Sequence, residues 1–344
     1  MNKKSNYNVA VIGVGAVGIE MLRVLRERKF PLDKLRVFAR SSRNIEVDGQ
    51  EYSVEAISAD SFSGIDIALF AGTEGEKGAA VTYAKEAVKR GAVVIDNGAD
   101  FRMDPDVPLV VPEVNPQDVK KNKGIIANPN CSTIQMVVAL WPIYKKAGIK
   151  RIIVTTLQAS SGAGRAAVEQ LREETEKIAQ EGFNNVQVNL PEKALPQQLA
   201  YNVFPHIGGF GECDYTSEEW KLVKETRKIM HDNKIKISAT TIRVPVRTGH
   251  SESIYIETEK PVSPEKVRKI LSASEGIVVI DDPQKNLYPM PKDAEGRDET
   301  FVGRVRQDCF VKNGLWLWVV ADNLRKGAAT NAVQIAECLI SSLK

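Results

Sequence analysis

The fold of this 344-residue chain is decided by the stretch Asn8-Val9-Ala10-Val11-Ile12-Gly13-Val14-Gly15-Ala16-Val17-Gly18. An apolar strand runs directly into the pattern G-x-G-x-x-G, and the segment from Ile19 to Arg28 then has the spacing of an amphipathic helix. Strand, glycines and helix in this order are typical of a dinucleotide-binding unit, because the glycines let the backbone approach a pyrophosphate at the helix start. The alternative is a tight turn without a ligand. We predict a dinucleotide cofactor bound by Gly13, Val14, Gly15, Ala16, Val17 and Gly18.

The second predicted strand, Leu35 to Phe38, indicates which nicotinamide cofactor is bound. Proteins that bind NAD usually place an acidic residue at the end of this strand, where it holds the ribose hydroxyls. This chain has two cations and two hydroxyls there and no acid, and such groups suit a 2′-phosphate. The alternative is a solvated basic loop. We predict that NADP is held by Arg40, Ser41, Ser42 and Arg43.

Strands and helices alternate over the first part of the chain, with strands at 35–38, 65–70 and 92–95 and a helix at 77–90. This alternation predicts a parallel sheet covered by helices on both faces. After residue 150 the pattern changes to strands at 151–157, 235–246, 250–257, 277–280, 300–311 and 315–320, which predict a mixed sheet. The length suggests two domains. The predicted fold class is α/β, with a Rossmann-type NADP-binding domain plus an α+β domain that contains a mixed sheet.

Composition and charge argue against several classes of function. The net charge of +3 is close to balanced and no long basic run is present, so nucleic acid is not an expected partner. The cysteines at 131, 213, 309 and 338 lack the spacing of metal ligands or of a disulfide framework, so no metal is expected. No apolar stretch reaches the roughly 18 residues that a membrane span needs. We expect a cytoplasmic protein that does not contact a membrane.

A second motif, Asn128-Pro129-Asn130-Cys131-Ser132-Thr133, places a cysteine where an extended segment ends and a helix begins. Ser132 and Thr133 are typical of a helix start. The positive end of a helix favours the thiolate, which is the nucleophilic form of cysteine, and its N–H groups can hold an oxyanion. We predict that Cys131 is a nucleophile. The alternative is a buried apolar side chain, the usual environment of a free cysteine.

Two further candidates lie in loops. Arg102 follows the carboxyl end of a predicted strand, where ligands bind in sheets of this kind, although an arginine there is as often part of a surface ion pair. His250 stands beside a glycine between two predicted strands. Without further context an ordinary loop residue is the favoured interpretation of His250, and a catalytic histidine is the alternative.

A charged pair, Glu218 and Lys221, opens a predicted helix. Thr216 and Glu219 form a capping-box pattern at its start, and residues three apart project from one helix face. On this pattern alone, an exposed surface pair is the favoured interpretation.

Taken together, these motifs resemble the aspartate-semialdehyde dehydrogenase family over nearly the whole chain and in the right order. The cysteine and histidine motifs are specific to it, whereas the glycine motif is not. The resemblance is carried by Gly13–Gly18, Asn128–Thr133, Gln158-Ala159-Ser160-Ser161-Gly162-Ala163-Gly164, Arg243-Val244-Pro245-Val246 with His250, and Asp322-Asn323-Leu324 with Gly327-Ala328-Ala329.

The resemblance implies an NADP-dependent reductive dephosphorylation of L-4-aspartyl phosphate to L-aspartate 4-semialdehyde in lysine, threonine and methionine biosynthesis. In the reverse direction Cys131 attacks the aldehyde carbon, and His250 takes its proton as general base. Hydride passes to NADP, and phosphate then cleaves the thioester to give the acyl phosphate. Gln158 is expected to orient the bound intermediate.

The resemblance also implies binding residues for the small-molecule substrates. Arg243 corresponds to the arginine that grips the substrate carboxylate, a group that matches its planar fork. Glu218 corresponds to the acid that meets the substrate ammonium, and Arg102 and Lys221 to the phosphate site. The expected contacts of the second domain with the cofactor are made by Ser161, Gly162 and Asn323.

The family's last helix packs on the first domain, so the expected domains are a dinucleotide-binding domain, 1–130 plus 324–344, and a catalytic and dimerisation domain, 131–323. A homodimer or a dimer of dimers is expected. Two departures stand out: Gly98-Ala99 replaces a Ser-Ser pair and is followed by Asp100, and the loop that holds the 2′-phosphate reads Arg40-Ser41-Ser42-Arg43 rather than Ser-x-Arg-Ser. Either arginine can therefore hold that phosphate. The alternatives are an N-acetyl-glutamyl-phosphate reductase, or an NADP-binding scaffold without chemistry.

Overall fold

The computed structural model describes residues 2–72, 78–183, 186–188, 190 and 192–343. Its strands are β1 (Tyr7–Ile12), β2 (Leu32–Ala39), β3 (Arg43–Val47), β4 (Gln50–Ala56), β5 (Ile67–Phe70), β6 (Val93–Asp96), β7 (Ile125–Ala127), β8 (Ile149–Gln158), β9 (Lys236–Arg243), β10 (His250–Thr258), β11 (Ile277–Val279), β12 (Thr300–Gln307) and β13 (Gly314–Ala321). Its helices are α1 (Ala16–Glu27), α2 (Ala79–Lys89), α3 (Cys131–Ala147), α4 (Arg165–Glu181), α5 (Ser217–Met230), α6 (Pro264–Ser272), α7 (Pro291–Ala294) and α8 (Thr330–Ser341).

The chain divides into two compact units. The first contains Met1–Asn130 and Gly327–Lys344, and the second contains Cys131–Lys326. The domain limits expected from the sequence place the return to the first unit at 324 rather than at Gly327. Lys77, the expected start of the helix that the structure has as α2, lies outside the described residues. Among the helices of the described part, none is both long and apolar enough to cross a lipid bilayer.

The first unit is built on a sheet with the strand order β3-β4-β2-β1-β5-β6-β7. Its strands β4, β2, β1, β5, β6 and β7 pair in parallel. Alternate side chains of β1 serve two cores: Val9 and Val11 pack with α1 and α8, whereas Ala10 and Ile12 pack with α2. Helices therefore cover both faces, as the alternating sequence pattern predicts.

The edge of this sheet differs from the prediction. β3 pairs antiparallel with β4, so the sheet is mixed rather than wholly parallel. The two strands are joined by a turn at Asp48 and Gly49, whose φ angles are +48° and +77°. An Asp-Gly pair between two strands is a strong hairpin signal because both residues tolerate positive φ. The hairpin was therefore readable from the sequence, although the strand pattern around it is weak.

The second unit contains a mixed sheet with the order β11-β12-β13-β10-β8-β9, which confirms the predicted mixed sheet. β10 is central and runs antiparallel to both β8 and β13, while β8 and β9 are parallel. The helix α3 packs across β8, β10, β12 and β13. The strand predicted over 300–311 ends at Gln307, because the carboxylate of Asp308 accepts the N–H groups of Phe310 and Val311 and turns the chain.

Candidate active site

Cys131 is the first residue of α3 and is half-buried, at the strand-to-helix junction that the sequence predicts. The segment before it is anchored inside the first unit. Nδ2 of Asn331, on α8, donates to Oδ1 of Asn128 (2.7 Å) and to the carbonyl of Val110 (3.0 Å). The N–H of Asn128 donates to the carbonyl of Asp96 (2.7 Å). Asn331 is not among the residues predicted from the sequence, because the apolar spacing of α8 gives no sign of this role.

His250 opens β10 and is fully buried. The backbone N–H of Ala159 donates to its Nδ1 at 3.0 Å, so the neutral imidazole carries its proton on Nε2. Burial, helped by the positive charge of Arg243 and opposed by Glu218, lowers the pKa of His250 to about 3. At neutral pH the ring is therefore uncharged and presents an N–H donor at Nε2.

The hydrogen bond at Nδ1 affects whether His250 can act as a general base, a role that stays a prediction. A base needs a lone pair, and the lone pair of His250 at Nδ1 already accepts the Ala159 N–H. Nε2 has no hydrogen-bond partner among the described residues. In this state the ring can donate to a ligand, whereas accepting a proton from Cys131 requires the other tautomer.

Gly162 allows the turn after β8 to lie against this histidine. A Cβ at Gly162 would stand 3.0 Å from both Cε1 and Nε2 of His250 and 3.4 Å from Nη1 of Arg243. Contacts of this length are tighter than most contacts of a side-chain carbon, so a larger residue would require the ring or the guanidinium to shift by a few tenths of an ångström. Glycine therefore allows the backbone at this position to lie close to Nε2 of His250.

Gln158 and Glu218 form a buried polar pair. Nε2 of Gln158 donates to Oε1 of Glu218 (3.1 Å), and its Oε1 accepts from the hydroxyl of Thr156 (2.9 Å). Nζ of Lys221 lies 3.3 Å from Oε2 of Glu218. Because Glu218 is only 6% exposed, the interpretation of Glu218 and Lys221 as an exposed surface pair is wrong. Spacing alone cannot distinguish the two cases, since β8 supplies the partner that buries the acid.

The neighbouring acid, Glu219, fixes the direction of Glu218. Oε2 of Glu219 accepts the N–H of Thr216 (2.7 Å), and the Thr216 hydroxyl accepts the N–H of Glu219 (3.3 Å), which confirms the predicted capping box. Oε1 of Glu219 also accepts the N–H of Thr241 on β9 (3.0 Å). The start of α5 is thereby tied to the sheet, with Glu218 facing Gln158.

Arg243 ends β9 and is 4% exposed. Its Nη1 donates to the carbonyl of Ala159 at 2.6 Å. Burial lowers the pKa of Arg243, while the negative charges of Glu218 and Cys131 act in the opposite direction. A guanidinium remains charged in proteins. Arg243 is therefore a buried cation of this cluster, and its charge acts on both Glu218 and Cys131.

Asn323 and Ser161 lie on the same side of the second unit as the histidine. Oδ1 of Asn323 accepts the N–H of Gly249 at 2.9 Å, and its Nδ2 donates to the Ser161 hydroxyl at 2.9 Å. Gly249 directly precedes His250, so this bond holds the start of β10. The structure thus brings together Cys131, Gln158, Ser161, Gly162, Glu218, Lys221, Arg243, His250 and Asn323 in the second unit.

The glycine loop of the first unit has the geometry that a dinucleotide requires. Gly13 has φ of +99°, and a Cβ at Gly18 would stand 1.9 Å from the carbonyl oxygen of Gly13. α1 begins at Ala16, and Gly15 before it offers no side chain to cap the first N–H groups. These groups can therefore bind a phosphate. The loop formed by Gly13, Val14, Gly15, Ala16, Val17 and Gly18 fits a dinucleotide.

The predicted 2′-phosphate loop lies at the end of β2. Arg40, Ser41 and Ser42 are exposed there, and Arg43 is the exposed first residue of β3. Nη1 of Arg43 donates to the Ser41 carbonyl (3.2 Å), and the Ser42 hydroxyl accepts the N–H of Ala56 (2.9 Å). These bonds hold the loop against β4 and leave its cations at the surface.

Arg102 also belongs to the first unit, whereas Lys221 belongs to the second. Arg102 is 5% exposed, and its Nη2 donates to the carbonyl of Asn97 at 2.8 Å, so it is a buried residue rather than a surface one. A Cβ at Gly98 would stand 3.1 Å from Oδ2 of Asp96 and 3.3 Å from Oδ2 of Asp100. The Gly98 position is thus flanked by two carboxyl groups.

Comparison with known proteins gives a consistent result. Residues 8–122 match a family model described as "Semialdehyde dehydrogenase, NAD binding domain", and residues 140–326 match "Semialdehyde dehydrogenase, dimerisation domain". The chain is 57% identical to an aspartate-semialdehyde dehydrogenase of Aquifex aeolicus over 97% of this chain and 98% of that protein. It is 47% identical to that of Bacillus subtilis, over 96% and 97%.

The solved structures that resemble this chain carry the same name as its relatives in sequence. Aspartate semialdehyde dehydrogenase II from Vibrio cholerae, complexed with ASA, superposes with a TM-score of 0.92 at 44% identity over 98% of this chain and 99% of that one. The enzyme from Candida albicans with NADP superposes with a TM-score of 0.68 at 25% identity, over 97% and 98%.

Proposed function

Because the chain belongs to the aspartate-semialdehyde dehydrogenase family, we propose that it reduces L-4-aspartyl phosphate to L-aspartate 4-semialdehyde through a thioester on Cys131. This reaction is an oxidoreductase step of lysine, threonine and methionine biosynthesis. The observation that carries the proposal is the buried cluster of Gln158, Glu218, Arg243 and His250, whose guanidinium charge reaches Cys131.

Cys131 acts as the nucleophile. The start of α3 and the charge of Arg243 both favour its thiolate. The sulfur attacks the acyl carbon, a C–S bond forms, and the C–O bond to phosphate breaks. The nicotinamide cofactor supplies the hydride that reduces the thioester carbon. When the C–S bond then breaks, the aldehyde is released and Cys131 is again a thiolate.

His250 acts as a hydrogen-bond donor in these steps. Attack by sulfur and reduction of the thioester both place negative charge on the former carbonyl oxygen. A donor fixed before the reaction stabilises such an oxyanion without reorganisation. The Nε2 proton of His250 suits this task, because the Ala159 N–H fixes the tautomer. The base role toward Cys131 requires breaking that bond.

The two ends of the substrate are held by opposite charges. The guanidinium of Arg243 binds the substrate carboxylate in a bidentate manner. The substrate ammonium is bound by the carboxylate of Glu218. Oε1 of this carboxylate accepts a hydrogen bond from Nε2 of Gln158. Nζ of Lys221 lies 3.3 Å from that carboxylate, and Lys221 supplies one cation of the phosphate site. Arg102 supplies the second cation of the phosphate site.

NADP is the preferred cofactor. The support is the set of cations and hydroxyls at Arg40, Ser41, Ser42 and Arg43, all exposed at the end of β2 and able to bind a 2′-phosphate. We expect Gly13–Gly18 to hold the pyrophosphate, and Ser161, Gly162 and Asn323 to contact the cofactor. A homodimer forms through residues 140–326, which match the dimerisation domain, and the alternative assembly is a dimer of two such dimers.

The test is to incubate the protein with a panel of semialdehydes and to follow formation of the reduced cofactor with and without phosphate. Aspartate semialdehyde with phosphate and NADP should give the fastest reaction. Equal rates with a semialdehyde whose amine is acylated would contradict the substrate assignment and favour an N-acetyl-glutamyl-phosphate reductase. Omission of phosphate should stop turnover after one thioester per site forms.

A further inference from the structure

A carboxyl group that the proposed mechanism does not use lies beneath this site. Glu252 follows His250 by two residues on β10, so both side chains point to the same face of the sheet. It is fully buried. In the sheet it stands directly opposite Thr156 on β8 and Val319 on β13. These neighbours carry no charge. The hydroxyl of Thr156 donates its hydrogen bond to Gln158, so its proton does not serve Glu252.

From the helix side, Glu252 meets Gln135. Gln135 follows Cys131 by four residues on α3, and such residues lie on the same face of a helix. Its Nε2 donates to the main-chain carbonyl of His250 at 3.4 Å, and its amide lies beside the Glu252 carboxyl. Gln135 therefore touches the strand that carries His250 from the helix that begins at Cys131.

Three buried oxygens in this contact lack a donor. Neither oxygen of Glu252 nor Oε1 of Gln135 has a hydrogen-bond partner among the described residues. Buried polar atoms are almost always paired. Two carboxylate oxygens and an amide oxygen cannot pair with one another, because none of them carries a proton. A protonated Glu252 resolves this, since its O–H can donate to Oε1 of Gln135 while Nε2 stays on the His250 carbonyl.

The pKa of Glu252 agrees with a protonated carboxyl group. Burial raises the pKa of Glu252 well above its ordinary value of 4.5, and the amide of Gln135 opposes this effect only in part. A neutral acid costs far less to bury than a carboxylate.

We propose that Glu252 is a positioning residue that, as a neutral carboxylic acid, ties Gln135 and the helix beginning at Cys131 to the strand beginning at His250. The link fixes the cysteine and the histidine relative to each other. This proposal rests on the proposed roles of Cys131 and His250. Misplacement of reacting groups by about 1 Å can cost roughly 100-fold in rate, so a link that sets this spacing affects turnover more than substrate binding.

The experiment compares Glu252→Gln and Glu252→Leu with the matched controls Glu257→Gln and Glu257→Leu on the same strand. Glu257 is partly exposed and faces Arg151. Measured quantities are kcat, KM, melting temperature and the rate at which iodoacetamide labels Cys131, followed on its peptide because Cys213 and Cys309 are exposed.

Glutamine keeps a donor without the charge, so Glu252→Gln should stay within about threefold of the parent in kcat. Glu252→Leu should lower kcat by about tenfold or more, with KM nearly unchanged and slower labelling of Cys131. Both Glu257 variants should match the parent. The labelling rate does not depend on the substrate assignment, so it reports the link even if the proposed function fails.

Two results would overturn the proposal. Equal loss in the Gln and Leu variants would mean that the charged form is needed. A lower melting temperature with parent-like kcat and labelling would make Glu252 a structural residue only. If Glu252→Leu does not fold, Gln135→Met removes the same link from the helix side. It should reproduce the fall in kcat and labelling, and parent-like values in that variant would equally refute the link.

Discussion

The N–H of Ala159 points at Nδ1 of His250 from 3.0 Å away, and this bond sets which nitrogen of the ring carries the proton. The two residues are far apart in the sequence and meet because β8 ends beside the start of β10. The bond leaves Nε2 as a donor facing the cluster. The consequences of this arrangement can be tested with substitutions.

Replacing His250 separates the donor role from the base role. Glutamine can place an amide N–H near the position of Nε2 but cannot accept a proton. If His250 donates to an oxyanion, His250→Ala should lower kcat by about 10²–10³, and His250→Gln should recover a large part of that loss. Rates are measured at saturating cofactor. Equal inactivity of both variants, with folding intact, would instead assign proton abstraction to this histidine.

Removal of the nucleophile should abolish turnover. Cys131→Ala deletes the sulfur at the start of α3 and should leave cofactor binding intact, because the glycine loop lies in the first unit. Binding is measured by fluorescence of the reduced cofactor and turnover by its absorbance. Cys338→Ala is the control with an equally half-buried cysteine. Residual turnover in Cys131→Ala above a few per cent would rule out the thioester mechanism.

The basic loop determines cofactor preference. Arg40→Ala combined with Arg43→Ala should weaken NADP binding by roughly 1.5–3 kcal/mol for each charged hydrogen bond lost and leave NAD binding nearly unchanged. Lys34→Ala, an exposed cation on β2, is the control. The measurement is the dissociation constant of NADP and of NAD for the parent, the double variant and the control. A similar loss for NADP and NAD would indicate that the loop supports the fold instead.

Glu218 should distinguish substrates by their amine. Truncating a buried acid that faces a bound ammonium leaves the cation unpaired and costs about 2–5 kcal/mol. Glu218→Ala should therefore lower kcat/KM for aspartate semialdehyde by about 30-fold or more. An analogue without a free amine should lose far less. Glu173→Ala, an exposed acid on α4, is the control. Equal effects on both substrates would remove Glu218 from amine recognition.

The neutral state of Glu252 predicts a pH dependence of stability. Its pKa is raised in the folded protein, so the folded state keeps a proton that the unfolded chain releases above pH 4.5. The contribution of Glu252 is fully present below that pH and declines as pH rises. The melting temperature of Glu252→Gln should therefore gain on that of the parent from about pH 4 to about pH 8. His250 titrates in both proteins, so its effect cancels in the difference. An unchanged difference would show a charged Glu252.

The local parts of the site were predictable from the sequence, and the parts that depend on distant elements were not. The glycine loop and the position of Cys131 follow from short strand-to-helix patterns. The burial of Glu218 depends on Gln158, which lies 60 residues earlier in the chain. Its spacing to Lys221 is the same in an exposed pair, so the pattern carried no information on burial. Glu252 gave no signal because an acid on a strand normally faces solvent.

The position of α8 has a consequence for synthesis of the chain. One face of the first sheet is covered partly by Ala332, Val333, Ile335 and Ala336, which leave the ribosome only after the whole second unit. The nascent first unit therefore exposes an uncovered apolar surface while nearly 200 residues are translated. A chaperone that binds apolar surfaces would bind the first unit before α8 has been synthesised. A fragment that ends at residue 130 should aggregate rather than fold.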